Sequence, residues 1–414
     1  MTAASSQLPS PAERHRNGGT GSGAVHLCVV TFKECWQDKA GHWLSTGGFP
    51  LQMTGVASLF DRVTLVVVRG QPSQGGMPLP TGARVVALRR PVGDDARRKL
   101  SVLARLPYYL GVISREVLRA DVVHSPLPGD LSLLGFWTAL AFRKRLIARF
   151  AGSWVPNAQA TVMGAVTRRC MRWFAGGRNV MFASGQGQTP PAPRIQWLLN
   201  SALTEAELSR IGSDPHAFDA PCRSPARLAY IGRLSPEKGV HVLIRALAAL
   251  KGRLPSLPEL TIIGDGSERA ALESLARDLQ CAHTIRFTGQ LDRTGLGREL
   301  RDADLCVQPS LTEGSSKAWL DAMAYGIPVL ASRVGAAGAI VGEGGRGWVV
   351  PPNDVDALAD QLVRILADPV EWPARRQRCR AYTCDLTLEA WTRRIGETCA
   401  RQWQMRLVNG KLRP

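Results

Sequence analysis

Residues 309–328 read PSLTEGSSKAWLDAMAYGIP, and a short apolar run stands on either side of them. Short, continuous apolar runs are typical of strands that are buried on both faces of a parallel sheet. Between the runs, Gly314 and the two serines after it indicate a helix start, and Gly326 before Ile327-Pro328 indicates its end. The segment is therefore predicted to form a strand, a helix and a second strand, the repeating unit of a parallel α/β sheet.

The same alternation extends along the chain in both directions. Twelve apolar runs predict strands, at residues 25–31, 63–68, 85–88, 121–124, 146–150, 180–183, 228–231, 260–263, 284–287, 304–307, 328–331 and 348–350. Helical periodicity lies between several of them; Val240, Leu243, Ile244 and Leu247, for example, share one helix face. We therefore expect an α/β protein with two doubly wound parallel sheets.

The length and the turn residues suggest how the chain divides. At roughly 100–200 residues per domain, 414 residues allow two domains. The expected division is a disordered leader at 1–24, a first domain at 25–205, a linker at 206–226, a second domain at 227–385 and a terminal helix at 386–414. We expect the terminal helix to pack back on the first domain, because an amphipathic helix gains most of its stability from packing.

The composition excludes several classes of protein. Apolar residues make up 45% of the chain and charged residues 21%, so most of the chain is not intrinsically disordered. The longest apolar run, at 131–142, is shorter than the ~20 residues of a membrane-spanning helix. Nine cysteines form no CxxC pair and no zinc spacing, and no secretory segment opens the chain. We therefore expect reduced thiols and a cytoplasmic protein.

Charged, glycine-containing turns follow two predicted strands of the second half. The turn at 232–239 reads GRLSPEKG, and there Arg233 and Lys238 could grip a diphosphate together with the N–H groups of a helix start. In the next such turn, Gly264 and Gly266 allow a tight bend and the close approach of a ligand. Both turns are candidate site segments, because ligands of such sheets bind beyond the carboxyl ends of the strands.

Two carboxylates accompany the opening segment. Glu313 lies just before the predicted helix, and Asp321, eight positions later, is expected about two helical turns inside it. Both could face one ligand, while Gly314, Ser315 and Ser316 present N–H groups to an anion or to hydroxyl groups. An ionised carboxylate accepts hydrogen bonds from a vicinal pair of hydroxyls, so the arrangement suits a sugar.

Four segments together carry a resemblance to a known family. In order, and within roughly residues 226–370, they are GRLSPEKG, IIGDGSE, TEGSSKAWLDAMAYGIPVLAS and GRGWVVPPND. They resemble the donor-binding domain of retaining, family-4-type glycosyltransferases, also called group 1. The resemblance implies the GT-B fold, in which two Rossmann-like domains face a cleft that binds a nucleoside-diphosphate sugar.

The resemblance also implies a role for each matching residue. Arg233 and Lys238 would hold the diphosphate, and Glu313 would contact the transferred sugar. Asp321 stands where the family usually has a glutamate that binds the ribose hydroxyls, and it is one methylene shorter. The other matching donor-binding positions are Gly232, Gly264, Gly266, Gly314, Ser315, Ser316 and Lys317.

The first half matches the family less closely. Gly47 and Gly48 are candidates for the glycine loop that approaches the phosphates, and the stretch 32–46 before them could help to form the acceptor cleft. His124 resembles a strand-end histidine that many relatives place near the reacting sugar. Relatives often have His-x-His there, whereas this chain has Pro126 at the second position. Asp130, or the polar segment at 149–154, could take over the role of that missing histidine.

The implied reaction transfers a sugar from a UDP- or GDP-linked donor to a hydroxyl acceptor with retention of the anomeric configuration. The two cations and a helix N-terminus would stabilise the leaving diphosphate. None of the donor-binding segments carries an Asp-x-Asp metal motif, so we expect neither a metal nor another cofactor. Lys317 resembles members of the family that act on polysaccharides or lipid-linked sugars, which favours an acceptor of that kind.

Other functions remain open at this stage. A sugar-nucleotide epimerase, a glycogen-type synthase or a small-molecule glycosyltransferase would use the same fold. The net charge of +18 could instead indicate nucleic-acid binding. No zinc-finger spacing or RNA-recognition aromatic motif supports that alternative, and aromatic residues make up only 6% of the chain, so we expect no nucleic-acid partner.

Basic clusters of the first half suggest a membrane as a possible partner. They are Arg89-Arg90, Arg97-Arg98-Lys99, Arg143-Lys144-Arg145, Arg168-Arg169 and Arg172. Two apolar stretches, 102–113 and 131–142, adjoin some of them. Basic residues beside exposed apolar side chains are typical of peripheral proteins on an anionic bilayer, here the inner face of the plasma membrane. The alternative is that both stretches are core helices.

Overall fold

The computed structural model describes residues 23–73, 76–93, 95–154, 161–187, 189–212, 223–367 and 370–414. Within these ranges lie two large, mainly parallel sheets, one in each half of the chain. Most of the predicted leader, and the part of the predicted linker at 213–222, fall outside the described residues.

The first sheet has nine strands. Its parallel strands, in spatial order, are β5 (Arg84–Leu88), β3 (Arg62–Arg69), β1 (His26–Gln37), β6 (Val122–Leu127), β7 (Arg145–Phe150), β8 (Asn179–Ser184) and β9 (Ile195–Leu198). Two short strands, β2 (Trp43–Ser45) and β4 (Met77–Pro78), add antiparallel pairs at the end of β1. The strand interiors are buried because helices cover both faces of the sheet.

The helices of the first domain form two layers. Apolar side chains of α3 (Leu106–Arg119), α4 (Asp130–Ala141) and α5 (Val162–Phe174) cover one face, with α2 (Asp95–Ala104) preceding them. The other face is covered by α1 (Phe49–Ser58) and by α13 (Leu388–Trp403), which comes from the far end of the chain.

The second sheet has six strands, all parallel. In spatial order they are β12 (Ile285–Gly289), β11 (Glu259–Ile263), β10 (Arg227–Ile231), β13 (Leu305–Gln308), β14 (Val329–Ser332) and β15 (Gly347–Val350). The helices are α7 (Val240–Ala248), α8 (Arg269–Asp278), α9 (Arg293–Arg301), α10 (Lys317–Ala324), α11 (Val355–Ala367) and α12 (Trp372–Thr383). Their apolar faces pack on the sheet in two clusters, one on each side.

Each sheet has a point at which the strand order reverses. In the first sheet it lies between β1 and β6, and in the second between β10 and β13. A crevice opens at such a point beyond the carboxyl ends of the strands, which is where open α/β sheets bind their ligands. The predicted fold class, an α/β protein with two Rossmann-like, doubly wound parallel sheets, is confirmed.

The structure differs from the sequence-based expectations at a few elements. All twelve predicted strands are present, with ends shifted by a few residues, whereas β2, β4, β9 and a hairpin within residues 406–413 were not predicted. The terminal helix expected over 386–414 is correspondingly shorter, because it ends at Trp403. A helix, α6 (Glu205–Gly212), occupies the start of the predicted linker. The Thr204 hydroxyl accepts a hydrogen bond from the Glu207 N–H at 3.1 Å, so a threonine at the helix start stabilises α6.

The terminal segment joins the first domain. In α13, Trp391, Ile395, Cys399 and Trp403 are buried in the apolar cluster that also contains α1. A small hairpin of β16 (Arg406–Val408) and β17 (Lys411–Arg413) follows. At the start of α13, the Leu388 N–H donates to the Leu203 carbonyl oxygen at 2.6 Å, where the chain leaves the first domain.

Two further observations concern cysteines and membranes. The eight cysteines among the described residues are all free thiols, seven of them buried. In the part of the chain that the structure describes, no helix has both the length and the apolar character to cross a bilayer.

Candidate functional site

A cleft between the two sheets is lined from both domains. The first domain contributes Lys33, Thr46, Gly47 and Gly48. The second contributes Gly232, Arg233, Gly264, Asp265, Asp292, Arg293, Lys317 and Asp321. Seven residues selected from the sequence therefore lie around one cavity: Gly47, Gly48, Gly232, Arg233, Gly264, Lys317 and Asp321.

Lys238 and Glu313 form an ion pair at the reversal point of the second sheet. The Lys238 ammonium donates to Glu313 Oε2 at 2.5 Å, and Glu313 Oε1 accepts from the Gly314 N–H at 3.0 Å. Lys238 closes a short 3₁₀ turn before α7, and the Leu311 N–H donates to the Glu237 carbonyl oxygen at 2.9 Å. Two loops that are far apart in sequence therefore hold one predicted cation against one predicted acid.

Arg233, the other predicted diphosphate ligand, is solvated. Its side chain is 75% exposed, and the nearest carboxylate oxygen, on Glu237, is 3.9 Å from its guanidinium. An exposed, weakly paired arginine is available to a ligand because little has to be broken before it binds. Arg233 is thus exposed to solvent whereas Lys238 is ion-paired, although the sequence predicted the same role for both.

Two predicted glycines have a structural reason to be glycine. A Cβ on Gly264 would lie 1.9 Å from the Gly232 carbonyl oxygen, and a Cβ on Gly266 would lie 2.2 Å from the Leu234 carbonyl oxygen. Neighbouring turns pack backbone against backbone here. The sequence predicted that a ligand comes close to these two glycines. In the structure, the adjoining turn of the protein comes close to them instead.

The glycine loop of the first domain faces the second domain. Gly47 has φ +70° with no heavy atom within 4 Å of a Cβ, so it borders open space. A Cβ on Gly48 would lie only 2.8 Å from the Lys317 ammonium nitrogen, which therefore approaches this loop closely. The Lys317 side chain thus extends from the second domain across the cleft to the Gly47-Gly48 loop of the first domain.

The helix expected to start at Gly314 starts later. α10 begins at Lys317, and Ser316, with an extended backbone (φ −76°, ψ 129°), precedes its first turn. The Gly314 carbonyl oxygen accepts from the Ala336 N–H at 2.9 Å, which holds the preceding loop outside the helix. Asp321 consequently lies little more than one turn into α10, and the prediction of two turns was wrong.

Gly314 and Ser315 lie where the two domains meet. A Cβ on Gly314 would be 2.6 Å from the Gly152 carbonyl oxygen of the first domain, so only glycine permits this approach. The Ser315 hydroxyl is buried and has no hydrogen-bond partner among the described residues. A buried hydroxyl without a partner is costly unless a ligand or water satisfies it.

Asp321 is engaged by an arginine that the sequence analysis did not select. Arg293 donates to Asp321 at 2.8 Å and to Glu207 at 2.7 Å. Burial alone would lower the pKa of Arg293, but the two carboxylates raise it above its usual value. If Asp321 binds ribose hydroxyls, its carboxylate must accept hydrogen bonds from them and from Arg293 together.

His124 is enclosed inside β6, which continues to Leu127, so the expected strand-end position was wrong. It is 1% exposed, its Nδ1 lies 3.0 Å from the Ile147 carbonyl oxygen, and its Nε2 has no partner among the described residues. Burial, and then the charge of Arg149, lowers the pKa of His124 to about 3. The ring is therefore neutral at physiological pH, and it does not line the cleft.

Arg149, the first residue of the polar segment at 149–154, lies near His124. Its guanidinium donates to the side-chain oxygens of Asn200 and Gln52, and it lies 5.4 Å from the Trp391 ring centroid. Burial lowers the pKa of Arg149 to about 10. Asp130, the other candidate to replace the missing histidine, lies 3.5 Å from Arg98 instead.

Lys33, Arg149 and Arg293 are the site residues that the sequence analysis did not name individually. Lys33 had a signal, because it follows the first predicted strand by two positions, and Arg149 belongs to the polar segment at 149–154 that the sequence had already suggested. Arg293 depends on contacts with residues 28 and 86 positions away, which no local pattern reveals. Among the described residues, no group of three or more His, Cys, Asp or Glu side chains is arranged to hold a metal ion.

The comparisons with known proteins agree with this geometry. The profile of the family described as Glycosyl transferases group 1 matches residues 223–384. A glycogen synthase of Mycobacterium tuberculosis is 38% identical over 197 residues, which are 47% of this chain and 47% of that protein. The chain thus matches about half the length of this relative.

A second relative and a solved structure extend the match. A D-inositol 3-phosphate glycosyltransferase of Kribbella flavida is 36% identical over 304 residues, covering 64% of this chain and 69% of the relative. The structure of Anabaena HepE with UDP and glucose superposes with a TM-score of 0.64 at 17% identity, covering 91% of this chain and 99% of HepE. That likeness identifies the fold as GT-B. The chain belongs to the group 1 glycosyltransferase family.

Proposed function

We propose that this protein transfers a sugar from a nucleoside-diphosphate sugar to a hydroxyl acceptor with retention of the anomeric configuration. The observation that carries the proposal is the convergence of Arg233 and the Lys238–Glu313 pair at the sheet's reversal point. Arg233 lines one cleft together with the Gly47-Gly48 loop, and the Lys238–Glu313 pair joins the two loops that follow β10 and β13. Cations, a sugar-binding acid and a close glycine loop together are what the transfer of a sugar from a diphosphate requires.

The proposed chemistry uses these groups in sequence. The diphosphate replaces the water around Arg233. Lys238 gives up part of its contact with Glu313 and binds a phosphate oxygen. Glu313 is then free to accept a hydrogen bond from a sugar hydroxyl. Preorganised cations stabilise the charge that develops on the departing diphosphate. The bond from the anomeric carbon to the diphosphate oxygen breaks as the acceptor oxygen bonds on the same face. The departing phosphate takes the acceptor proton.

The names of the relatives support the substrate class. HepE of Anabaena is described in complex with UDP and glucose, and the Kribbella relative is named for D-inositol 3-phosphate. A mannosyltransferase of Mycolicibacterium smegmatis that is 37% identical over 186 residues is named as GDP-mannose-dependent. We propose a UDP- or GDP-linked donor, and a hydroxyl on a lipid-linked or growing polysaccharide intermediate as the acceptor.

A donor panel tests the proposed reaction. The purified protein is incubated with UDP- and GDP-sugars, and the released nucleoside diphosphate is measured with and without a chelator of divalent ions. We expect slow hydrolysis of one donor class, unaffected by the chelator. Release from no donor would contradict the proposed function, and a strict divalent-ion requirement would contradict metal independence. Conversion of the sugar to an isomer without any acceptor would indicate an epimerase instead.

We also propose that the helical layer formed by α2 to α5 docks on an anionic membrane. Of the sixteen large apolar side chains exposed among the described residues, thirteen lie between residues 92 and 174. On α5, the exposed Val162, Val166, Arg169 and Trp173 share one face. The two apolar stretches considered earlier are part core and part surface: Tyr109 and Phe136 are buried, but Tyr108 and Trp137 are exposed.

The charge of this layer favours an anionic surface as its partner. Residues 95–178 contain 14 Lys and Arg but only 4 Asp and Glu. Trp137 and Phe174 pack edge to face with ring centroids 5.6 Å apart, and Arg169 lies 4.6 Å from the centroid of the Trp173 ring. Aromatic rings beside arginines suit the interface between headgroups and acyl chains. We expect sedimentation with phosphatidylserine-containing vesicles at low salt and release at high salt; failure to sediment at low salt would contradict this.

A further inference from the structure

Two lysines from opposite domains line the same cleft. Lys33 lies within a register irregularity of β1, between Val30 and Glu34, and Lys317 is the first residue of α10. A bulge redirects a side chain out of the regular sheet pattern. Lys317 meanwhile reaches the first domain at Gly48. Each domain therefore contributes one ammonium group to the space between them.

Neither lysine side chain forms a hydrogen bond or an ion pair with another described residue. Burial, followed by the nearby charges of Arg149 and Lys33, lowers the pKa of Lys317 to about 8, and the more weakly acting charges of Asp321 and Glu313 oppose this shift only in part. Burial, followed by the charge of Arg233, also lowers the pKa of Lys33. Partly enclosed ammonium groups that repel each other are unfavourable in the free protein. Such an arrangement needs a compensating gain, which a bound anion would provide.

The acids nearby are already engaged. Asp321 pairs with Arg293 at 2.8 Å, and Glu313 pairs with Lys238 at 2.5 Å. Besides Asp321, two acids line the cavity: Asp265 accepts from the Gly266 N–H at 2.8 Å and lies 3.4 Å from Arg269, and Asp292 accepts from the Gly295 N–H at 2.7 Å. None of these acids forms an ion pair with Lys33 or Lys317 in the described part of the chain.

The cations that line the cavity differ in whether a carboxylate holds them. Arg293 is held by two carboxylates and Arg233 lies 3.9 Å from one, whereas Lys33 and Lys317 form no ion pair among the described residues. Arg149 adds a positive charge behind Lys317 and is bound only to neutral amides. The diphosphate of a nucleotide sugar carries two negative charges. Arg233, and Lys238 after exchange with Glu313, are placed to meet them, and the lysine pair remains.

We propose that Lys33 and Lys317 form a second anion subsite, which holds a phosphate or carboxylate group carried by a substrate in addition to the donor diphosphate. The anion bridges the two domains, because one lysine belongs to each. The group comes either from an acidic acceptor or from an acidic donor sugar, and the lysines recognise it in the same way. This inference rests on the proposed function, since it assumes that Arg233 and Lys238 serve the diphosphate.

The subsite can be tested with inorganic phosphate as the probe. Phosphate is titrated calorimetrically into the protein saturated with UDP or GDP, whichever binds, for wild type, Lys33→Met and Lys317→Met. Lys39→Met is the matched control, because Lys39 is exposed and lies outside the cleft. We expect each cleft variant to weaken phosphate binding at least tenfold, and the control to bind as wild type does.

The same variants separate the subsite from the diphosphate site. We expect the affinity of Lys33→Met for the nucleoside diphosphate to stay within threefold of wild type, while Arg233→Ala loses it. If the lysine variants lose nucleoside diphosphate as strongly as Arg233→Ala does, the lysines belong to the diphosphate site and the inference is wrong. Unchanged phosphate binding in both variants would also overturn it. If no nucleoside diphosphate binds, the phosphate titration in an Arg233→Ala background still tests the lysines alone.

Two further measurements identify the source of the anion and exclude misfolding. A larger effect of the variants on UDP-glucuronate than on UDP-glucose assigns the anion to the donor sugar, and a larger effect on a phosphorylated acceptor than on its neutral form assigns it to the acceptor. We expect Lys317→Met to raise the melting temperature of the free protein, because an unfavourable charge is removed. A variant that is more stable yet has lost phosphate binding is not misfolded.

Discussion

The two domains contain similar numbers of cations but very different numbers of acids. Residues 25–200 have 22 Lys and Arg with 8 Asp and Glu, whereas residues 227–385 have 20 with 19. The two domains have nearly the same number of Lys and Arg, so most of the net charge of +18 arises because the first domain has few Asp and Glu. A basic surface can thus be produced by removing acids as well as by adding cations.

The partners of the arginines show the same contrast. In the second domain they pair more often with carboxylates, as in Arg253 with Asp360 at 2.7 Å. In the first domain they more often lie over aromatic rings, as in Arg89 over Tyr108 at 5.6 Å and Arg172 over Trp154 at 5.6 Å. A carboxylate neutralises an arginine, but a ring leaves its charge available to a partner. Exposed arginines of the first domain that lie over rings, such as Arg89 and Arg172, therefore remain available for binding.

The largest expected effect concerns an arginine held between two acids. Arg293→Met leaves Glu207 and Asp321, which are 11% and 9% exposed, without their shared cation. We expect the free energy of unfolding to fall by about 3 kcal/mol, measured by urea denaturation. Arg169→Met, on the ring-paired surface of the first domain, should change it by less than about 0.5 kcal/mol. Equal losses in both variants would remove the distinction between the domains.

The next effect concerns the chemistry of the second domain. Arg233→Ala and Lys238→Ala should each lower turnover on the order of 10²-fold, about 2.7 kcal/mol of transition-state stabilisation. Steady-state kinetics measures the loss, and circular dichroism checks that the fold is intact. Arg364→Ala, an exposed arginine outside the cleft, is the matched control. Near-normal turnover in both cleft variants would refute the assigned diphosphate site.

A smaller effect depends on pH and concerns the first domain. The pKa of His124 is lowered from 6.5 to about 3, so below pH 6.5 the unfolded chain takes up a proton that the folded protein does not. Stability should therefore fall as pH decreases from about 6.5 towards 3, and this residue should cost about 2 kcal/mol at pH 5. Unfolding of wild type and His124→Gln at pH 7 and pH 5 measures the difference. An identical pH dependence would show that His124 is protonated normally.

The smallest effect concerns the membrane-facing layer. Arg169→Glu should lower partitioning into phosphatidylserine-containing vesicles about tenfold or more, because one reversed charge removes about 1 kcal/mol of attraction and adds repulsion. Donor hydrolysis in solution should stay unchanged. Arg364→Glu makes the same charge reversal on the second domain and should leave partitioning nearly unaffected. If both reversals weaken binding equally, net charge rather than this layer determines the attraction.

The same contrast explains how far the sequence could predict the molecule. Buried parallel strands are continuous apolar runs, so the twelve predicted strands were found. Met77–Pro78 is two residues long and contains a proline, which no strand pattern would suggest. α6 was missed because nearby prolines suggested a linker, although Thr204 and the acids after it are helix-start signals.

The candidate site was predicted best where the chemistry is local. Residues of a single βα turn, such as Arg233 and Lys238, are adjacent in sequence and carry a recognisable pattern. Lys33, Arg149 and Arg293 act through neighbours from distant segments, so only the folded structure brings them into view. The start of α10 was placed too early because Gly314 and Ser315 are small and polar, whereas a distant backbone N–H, that of Ala336, holds them in a loop.

The hydrogen bond from the Leu388 N–H to the Leu203 carbonyl oxygen marks where the chain crosses between the domains. Close by, the Ser201 hydroxyl donates to the Leu386 carbonyl oxygen at 2.6 Å, and the Glu205 N–H donates to Glu389 at 3.0 Å. The chain leaves the first domain and returns to it at one place. In terms of architecture, the second domain is an insertion within a host domain to which α13 returns. The face of the host sheet that α1 and α13 share is therefore fully covered only after the inserted domain has been synthesised.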